Sequence, residues 1–291
     1  MSITLKLTDA VLVKGENLMQ KFNLHTHTFR CGHASGTDDQ MVLSAIEAGF
    51  ELLGFSDHMP YPQLHLPTCR MFWDQRQEYT DAMQALKIKY QDLIQLRFGY
   101  EAEYLDDQQA LLEQLHGEVD YLILGQHFKA IETNPVYELV YDYDAYNNDE
   151  DVLFYAAQIE KAAATGWFAM IAHPDYFMLG RRTFTPACAE AARRICAVSI
   201  KRQIPLEINL NGVHYGKHNY QIRSVSPSQQ ISSYAYPFRP FWEIAAQMQC
   251  PVCYGWDAHA PLVLQDFSRL EIAKQILEDL PLNFIDQAPI Q

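Results

Sequence analysis

The sequence is short of positive charge. Its 22 lysines and arginines face 36 aspartates and glutamates, a formal net charge of −14 over 291 residues. Proteins that bind nucleic acids or anionic membranes present basic surfaces that release counterions from phosphates, so this deficit argues against both. Long apolar runs are missing as well, and no window approaches the roughly 20 apolar residues of a membrane helix. The first 22 residues have no basic leader ahead of their apolar positions and no small-residue cleavage site behind them, which sets a cytoplasmic location as the expectation. Cysteine is sparse: six in a chain of this size are too few for a disulfide scaffold and suit a reducing compartment. Cys250 and Cys253 have redox-motif spacing, but they open an apolar, strand-like run rather than a helix, and they read as core residues. Repeats, low-complexity tracts and Gly/Ser-rich linkers are also lacking. The expectation is one domain across residues 1–291, beginning with an N-terminal extension over 1–20.

What is present is the composition of an ordinary globular protein, with 48% hydrophobic and 12% aromatic residues, ample for a core. Short β-rich runs at 22–24, 51–56, 95–99, 121–125, 168–172, 205–209 and 251–255 alternate with helix-period segments at 37–48, 74–90, 106–116, 151–165, 185–202, 239–248 and 265–280. That alternation predicts parallel strands joined by crossover helices, in about seven βα units. An open doubly wound sheet shares this pattern, but the placement of the polar residues favours a distorted (β/α)7 TIM-like barrel. Two long connections, about 132–150 and 212–237, are polar and tyrosine-rich, as substrate-contacting loops often are.

Of 11 histidines, seven fall at the ends of these strands or just beyond. His25 and His27 follow the first strand, with His33 in the next loop. His58 follows the second, His127 the fourth, His173 the fifth and His259 the seventh. Carboxylates accompany them: Asp57, Glu101, Glu103, Asp175, Glu207 and Asp257. A barrel gathers the C-terminal ends of its strands on one face, where active sites of this architecture are built. In His25-Thr26-His27 the two imidazoles, two residues apart, point the same way and can reach one cation. Mixed nitrogen and carboxylate donors suit Zn, Mn or Fe, and their number exceeds the needs of one tetrahedral ion, so two or three divalent ions are expected. Asp57 and Asp175 read as carboxylates that orient a neighbouring imidazole, and Glu103 as a partner of this kind or a solvated group. His214 and His218 read as residues of a polar surface loop, with a place in a lid as the alternative, and His65 and His116 as structural or solvated.

On these elements the sequence resembles the polymerase and histidinol phosphatase (PHP) superfamily of metal-dependent phosphoesterases. The matching segments are HTH at 25–27, CGHASG with His33, SDHMP with His58, GYE ending at Glu101, LGQHF with His127, IAHPD with His173, LEIN with Glu207 and WDAH with Asp257 and His259. Within the superfamily the histidinol-phosphate phosphatase branch is the more similar, although Gly125-Gln126 stands where that branch often has Ser-Val, and Trp256 where it often has serine. The resemblance implies a multinuclear site at the strand C-termini. One metal would be held by His25, His27, Glu101 and Asp257; a second would share Glu101 and add His127 and His173; a third would take His33, His58 and His259.

The implied activity is hydrolysis of a small phosphate monoester, L-histidinol phosphate first, by a hydroxide bridging the ions. Another small phosphate ester is the alternative substrate, and a DNA-polymerase-type exonuclease module fits the charge poorly. For the catalytic groups, Asp257 is a ligand, and His58, His259 or a metal-bound water is the candidate proton donor to the leaving alkoxide. Arg181 and Arg182, just after the HPD turn, are candidates to clamp the phosphate, because a guanidinium binds it as a bidentate fork. Lys129 is a further candidate, with Arg30 and Arg223 behind it.

Overall fold

Eight short strands, seven of them mostly buried, pair into one curled sheet in which every ladder is parallel. In this computed structural model, which describes residues 20–129 and 146–290, the extension before Gln20 and most of the 132–150 connection lie outside the described residues. The strands are β1 (Phe22–Asn23), β2 (Leu52–His58), β3 (Gln95–Ala102), β4 (Tyr121–Leu124), β5 (Phe168–Ile171), β6 (Thr183–Phe184), β7 (Leu206–Asn209), β8 (His218–Ile222), β9 (Gln229–Ser233), β10 (Pro251–Gly255) and β11 (Asn283–Phe284). The main sheet runs β1-β2-β3-β4-β5-β7-β10-β11. Its curl brings the first and seventh strands of the expected barrel together through one parallel bridge, Thr26 to Ala258. Below that bridge side chains replace the ladder: the Gln20 amide bonds both the N–H and the C=O of Tyr254, and Asn23 Oδ1 accepts from Trp256 N–H. The barrel is distorted because its closing seam is stitched largely by amide side chains.

The helices are α1 (Asp38–Ala48), α2 (Arg76–Lys89), α3 (Gln109–His116), α4 (Asp149–Thr165), α5 (Pro186–Arg202), α6 (Arg239–Gln247), α7 (Pro261–Gln265) and α8 (Ser268–Ile276). Their starts follow local chemistry. Thr37 and Gln40 form a reciprocal capping box on α1, and Thr185 caps α5 ahead of Pro186. Two departures from the sequence reading concern the ends of the chain's second half. The segment expected as one helix over 265–280 holds the shorter α8, while α7 precedes it and ends at Gln265, with Asp266 outside helical geometry between them. The 212–237 connection is not a plain loop: β8 and β9 form a hairpin that joins β6 in a second, three-stranded sheet. No described helix is long and apolar enough to cross a membrane.

Inside the main sheet the period of two sorts apolar from ligand residues along each strand. The inner face begins with Leu52, Tyr121, Ile123 and Cys253, a small cluster separate from the larger core under the helices. Two or more steps further along the same faces stand His58, Glu101, His127 and Asp257, all buried. The floor of the barrel is therefore apolar and its mouth is a donor set. All six cysteines are buried free thiols.

Candidate metal centre

His58 and Glu101 lie within strands β2 and β3, which end at His58 and Ala102 rather than at 56 and 99 as the alternation suggested, while the other donors follow strand ends. The chain must bend to aim two of them: His173 and Asp257 sit at φ 29° and 46°, in the left-handed region that non-glycine residues rarely occupy. Such strain persists only where surroundings enforce it. Here Glu207 Oε2 accepts from the His173 N–H at 2.9 Å, and Asn209 Nδ2 donates to Asp257 Oδ2 at 3.2 Å.

The carboxylate of Glu101 is the hub. Its Oε1 lies 2.8 Å from His173 Nε2 and 3.3 Å from His127 Nε2. Its Oε2 lies 3.0 Å from His58 Nδ1, 3.4 Å from His25 Nε2 and 3.6 Å from His27 Nε2. Asp257 Oδ1 is 3.1 Å from His27 Nε2 and 3.5 Å from His25 Nε2. Yet His25 Nε2, His27 Nε2, Glu101 Oε2 and Asp257 Oδ1 are buried without a hydrogen-bond partner. Orphaned polar atoms this deep are costly and rare in native proteins. Their spacing matches a coordination shell: with ligand bonds of about 2.1 Å, neighbouring corners lie about 3.4 Å apart for a tetrahedron and about 3.0 Å for an octahedron. Close donor triads recur across the mouth, as His25–His27–Asp257, His25–Glu101–His173, His27–His58–His259 and Cys31–His33–His259. The residues present therefore fit more than one divalent ion.

Other carboxylates hold the ligands still. Glu207 Oε1 is 2.7 Å from His25 Nδ1, turning Nε2 toward Glu101 and Asp257. Asp57 bonds the backbone N–H and the hydroxyl of Thr28, anchoring the turn after His27. Glu103 sits 3.0 Å from His127 Nδ1, and its charge is matched by the buried Arg70 guanidinium, which bonds both carboxylate oxygens, and by the Tyr61 hydroxyl. Breaking one side of such a buried pair leaves an uncompensated charge. Glu103→Gln is expected to lower unfolding stability by about 3 kcal/mol in a denaturant titration; a loss under about 1 kcal/mol would mean that Arg70 is satisfied without it. Asp175, expected to orient an imidazole, instead accepts from Phe238 N–H and Trp242 Nε1, tying the second sheet's exit and α6 to the barrel.

Two glycines make room for these carboxylates. A Cβ at Gly125 would lie 2.1 Å from Glu101 Oε1, and one at Gly255 only 1.7 Å from Glu207 Oε1. This gives a physical reason for glycine at 125, and Gln126 beside it bonds the backbones of Tyr104 and Phe128.

Charge and burial compete at every donor. Burial resists ionisation of Glu101, but the imidazoles of His127, His25 and His58 hold it well below the usual carboxylate range. Burial pulls His27 down, and Asp257 and Asp57 outweigh it, lifting the group to about 8; at His127 the pair Glu101 and Glu103 lifts it to about 10. Burial beside the His27 imidazole pushes His259 down to about 3, and burial likewise lowers His58. Without ions both are held toward the neutral, lone-pair-bearing form that a metal ligand needs.

The donors open into a cavity of about 420 Å³, lined on the donor side by His33, His58, Glu101, His127, His173, Asp257 and His259. Tyr176, Tyr215, Tyr236 and His214 line it further out, so His214 is not a plain surface residue. Arg181, Arg182 and Lys129 do not line it. Arg181 is buried, bonded to the carbonyls of Tyr146 and Asn147 and to Asp149. Arg182 bonds backbone carbonyls and packs over Tyr220, and Lys129 pairs with Asp151. Arg30 is tied to Asp38 and Glu78, and Arg223 to Gln221. Arg181 thus braces the start of α4. His65 stacks on Phe72 and His116 packs near Trp167.

The profile of the PHP domain family matches residues 23–211. A protein of Deinococcus radiodurans named "Probable histidinol-phosphatase" is 28% identical over 239 residues, covering 81% of this chain and 85% of that protein. The histidinol-phosphatase of Bacillus subtilis is 31% identical over 142 residues, 45% of this chain and 52% of its own length. Among solved structures, a histidinol phosphate phosphatase from Lactococcus lactis, in complex with zinc, L-histidinol and phosphate, superposes with a TM-score of 0.65. It is 16% identical, and the match covers 91% of this chain and 95% of that one, a likeness of fold.

Proposed function

The chain belongs to the PHP domain family, and from that premise we propose that it is a cytoplasmic, metal-dependent phosphomonoesterase that hydrolyses L-histidinol phosphate to L-histidinol and inorganic phosphate. The observation that carries this reading is the set of orphaned, buried lone-pair atoms converging at the floor of an open cavity. The names of the relatives support the substrate, and the acidic chain supports a small ester over a polyanion. Two or three ions of zinc, manganese or iron would be held by His25, His27, Glu101 and Asp257, by Glu101, His127 and His173, and by His33, His58 and His259. When bound they would supply Lewis-acid stabilisation of phosphoryl charge and lower the pKa of an attacking water.

The chain's own residues do the rest. Glu207 and Glu103 fix which nitrogen of His25 and of His127 faces the mouth. The tyrosine wall of Tyr176, Tyr215 and Tyr236 offers faces on which an imidazole and an ammonium can pack. The test is release of inorganic phosphate from a panel of monoesters, measured together with metal content before and after chelation. A clear preference for L-histidinol phosphate over sugar phosphates is expected, lost on chelation and regained on metal addition. Equal rates across the panel would instead make it a general small-molecule phosphoesterase.

A further inference from the structure

None of the cations singled out in the sequence lines the cavity. Among the described residues, Arg269 is the one lysine or arginine that lines the cavity. Its surroundings differ from those of the cations named above. Most of those are neutralised by carboxylates, whereas no carboxylate oxygen of a described residue lies within 4.0 Å of Arg269. Asp266, its near neighbour in sequence, is engaged with Ser268 N–H.

Its place in the helix is also against local preference. Arg269 is the second residue of α8, in the first turn, where the helix dipole disfavours a cation. A residue that breaks a local rule without a local gain marks a functional position more often than a structural one.

What holds it is a single amide. Arg269 Nη1 donates to Asn211 Oδ1 at 3.0 Å, and Asn211 Nδ2 donates in turn to Asp257 Oδ2 at 3.3 Å. Asn211 therefore sets the guanidinium at a fixed reach from the donor cluster and leaves its other N–H groups without a carboxylate to satisfy them. The tyrosines line the same cavity, so it offers a cation for an anionic group and aromatic faces for an organic one.

We propose that Arg269, oriented by Asn211, binds the phosphoryl oxygens of the substrate and makes the cavity selective for phosphate monoesters. This rests on the reading of the cavity as a phosphate-ester site, although not on which alcohol the ester carries. The probe is inorganic phosphate, followed by equilibrium binding to the metal-loaded protein and by competitive inhibition of a generic aryl phosphate. Arg269→Met should weaken phosphate binding and raise KM by about 10- to 100-fold with metal content unchanged, and Arg269→Lys should recover only part of the loss, since ammonium lacks the fork. Asn211→Ala should weaken phosphate binding less than Arg269→Met. Unchanged phosphate affinity in Arg269→Met would overturn the proposal, as would a loss that merely follows metal content. If the wild type binds phosphate through Arg269 but ignores L-histidinol phosphate, the substrate assignment fails and the role of Arg269 stands.

Discussion

Replacing Glu101 with glutamine is expected to cut turnover of phosphate esters by roughly 10²- to 10³-fold and to lower metal content with it. The side chain has nearly the same shape, so the fold should survive, and the effect isolates the second carboxylate oxygen. In the native arrangement Oε1 faces His127 and His173 while Oε2 faces His25, His27 and His58. A glutamine can present only one oxygen. Its NH2 must face one of the two groups, where it offers no lone pair to a cation and points N–H bonds at the space an ion would fill. The site also loses a negative charge that offsets clustered cations. Elemental analysis of the purified variant and initial rates at saturating substrate check this. Wild-type stoichiometry and rate would sink the shared-ligand role.

The donor set was legible before any coordinates because strand ends and ligands coincide in the sequence, and the period of two carries one face of β2 and of β10 from apolar floor to ligand mouth. His58 and Asp257 continue faces that begin with the buried apolar residues Leu52 and Cys253, whereas Glu101 continues a face of β3 that begins with Gln95 and Arg97. The β8–β9 hairpin was hidden because its strands, HNYQI and QQISS, are polar on one face, and only Tyr220 and Ile222 mark the buried side of β8. The cationic residues misled for a different reason. Arg181 follows a ligand motif directly, and nearness in sequence suggested nearness to the site, but the turn after His173 carries it down to brace the N-terminus of α4. Arg269 had no motif around it. Its signal was a cation in the first turn of a helix, and that becomes readable only once Asn211 and Asp257 are seen beside it.

Removing the metals is expected to make the folded protein less stable as pH rises from 7 to 9, and metal to reverse this. Without ions, the carboxylates must be balanced by protons on the imidazoles. His27, buried but facing Asp257 and Asp57, is lifted from 6.5 to about 8, and His127, between Glu101 and Glu103, to about 10. In the unfolded chain both return to about 6.5. Each folded-state value lies above its unfolded one, so the stabilisation is complete below pH 6.5 and is lost as pH climbs through the folded value. His58 and His259 are lowered by burial, and their unfolded forms shed only a remaining minor fraction of protons across this window, so they add little slope of their own. At about 1.4 kcal/mol per unit for each proton retained, the chelated protein should lose on the order of 3 kcal/mol between pH 7 and 9, a fall in Tm of roughly 6–12 °C. Metal binding expels the same protons, because an imidazole must be neutral to ligate. Its affinity should therefore rise with pH, and the heat of binding should change with the ionisation enthalpy of the buffer, reporting a net proton release. Melting curves of chelated and reloaded protein at pH 7 and 9, with calorimetry in two buffers, test both halves. A Tm of the chelated protein that is flat over this range, or metal binding with no proton release, would show that the imidazoles carry no protons for the ions to displace.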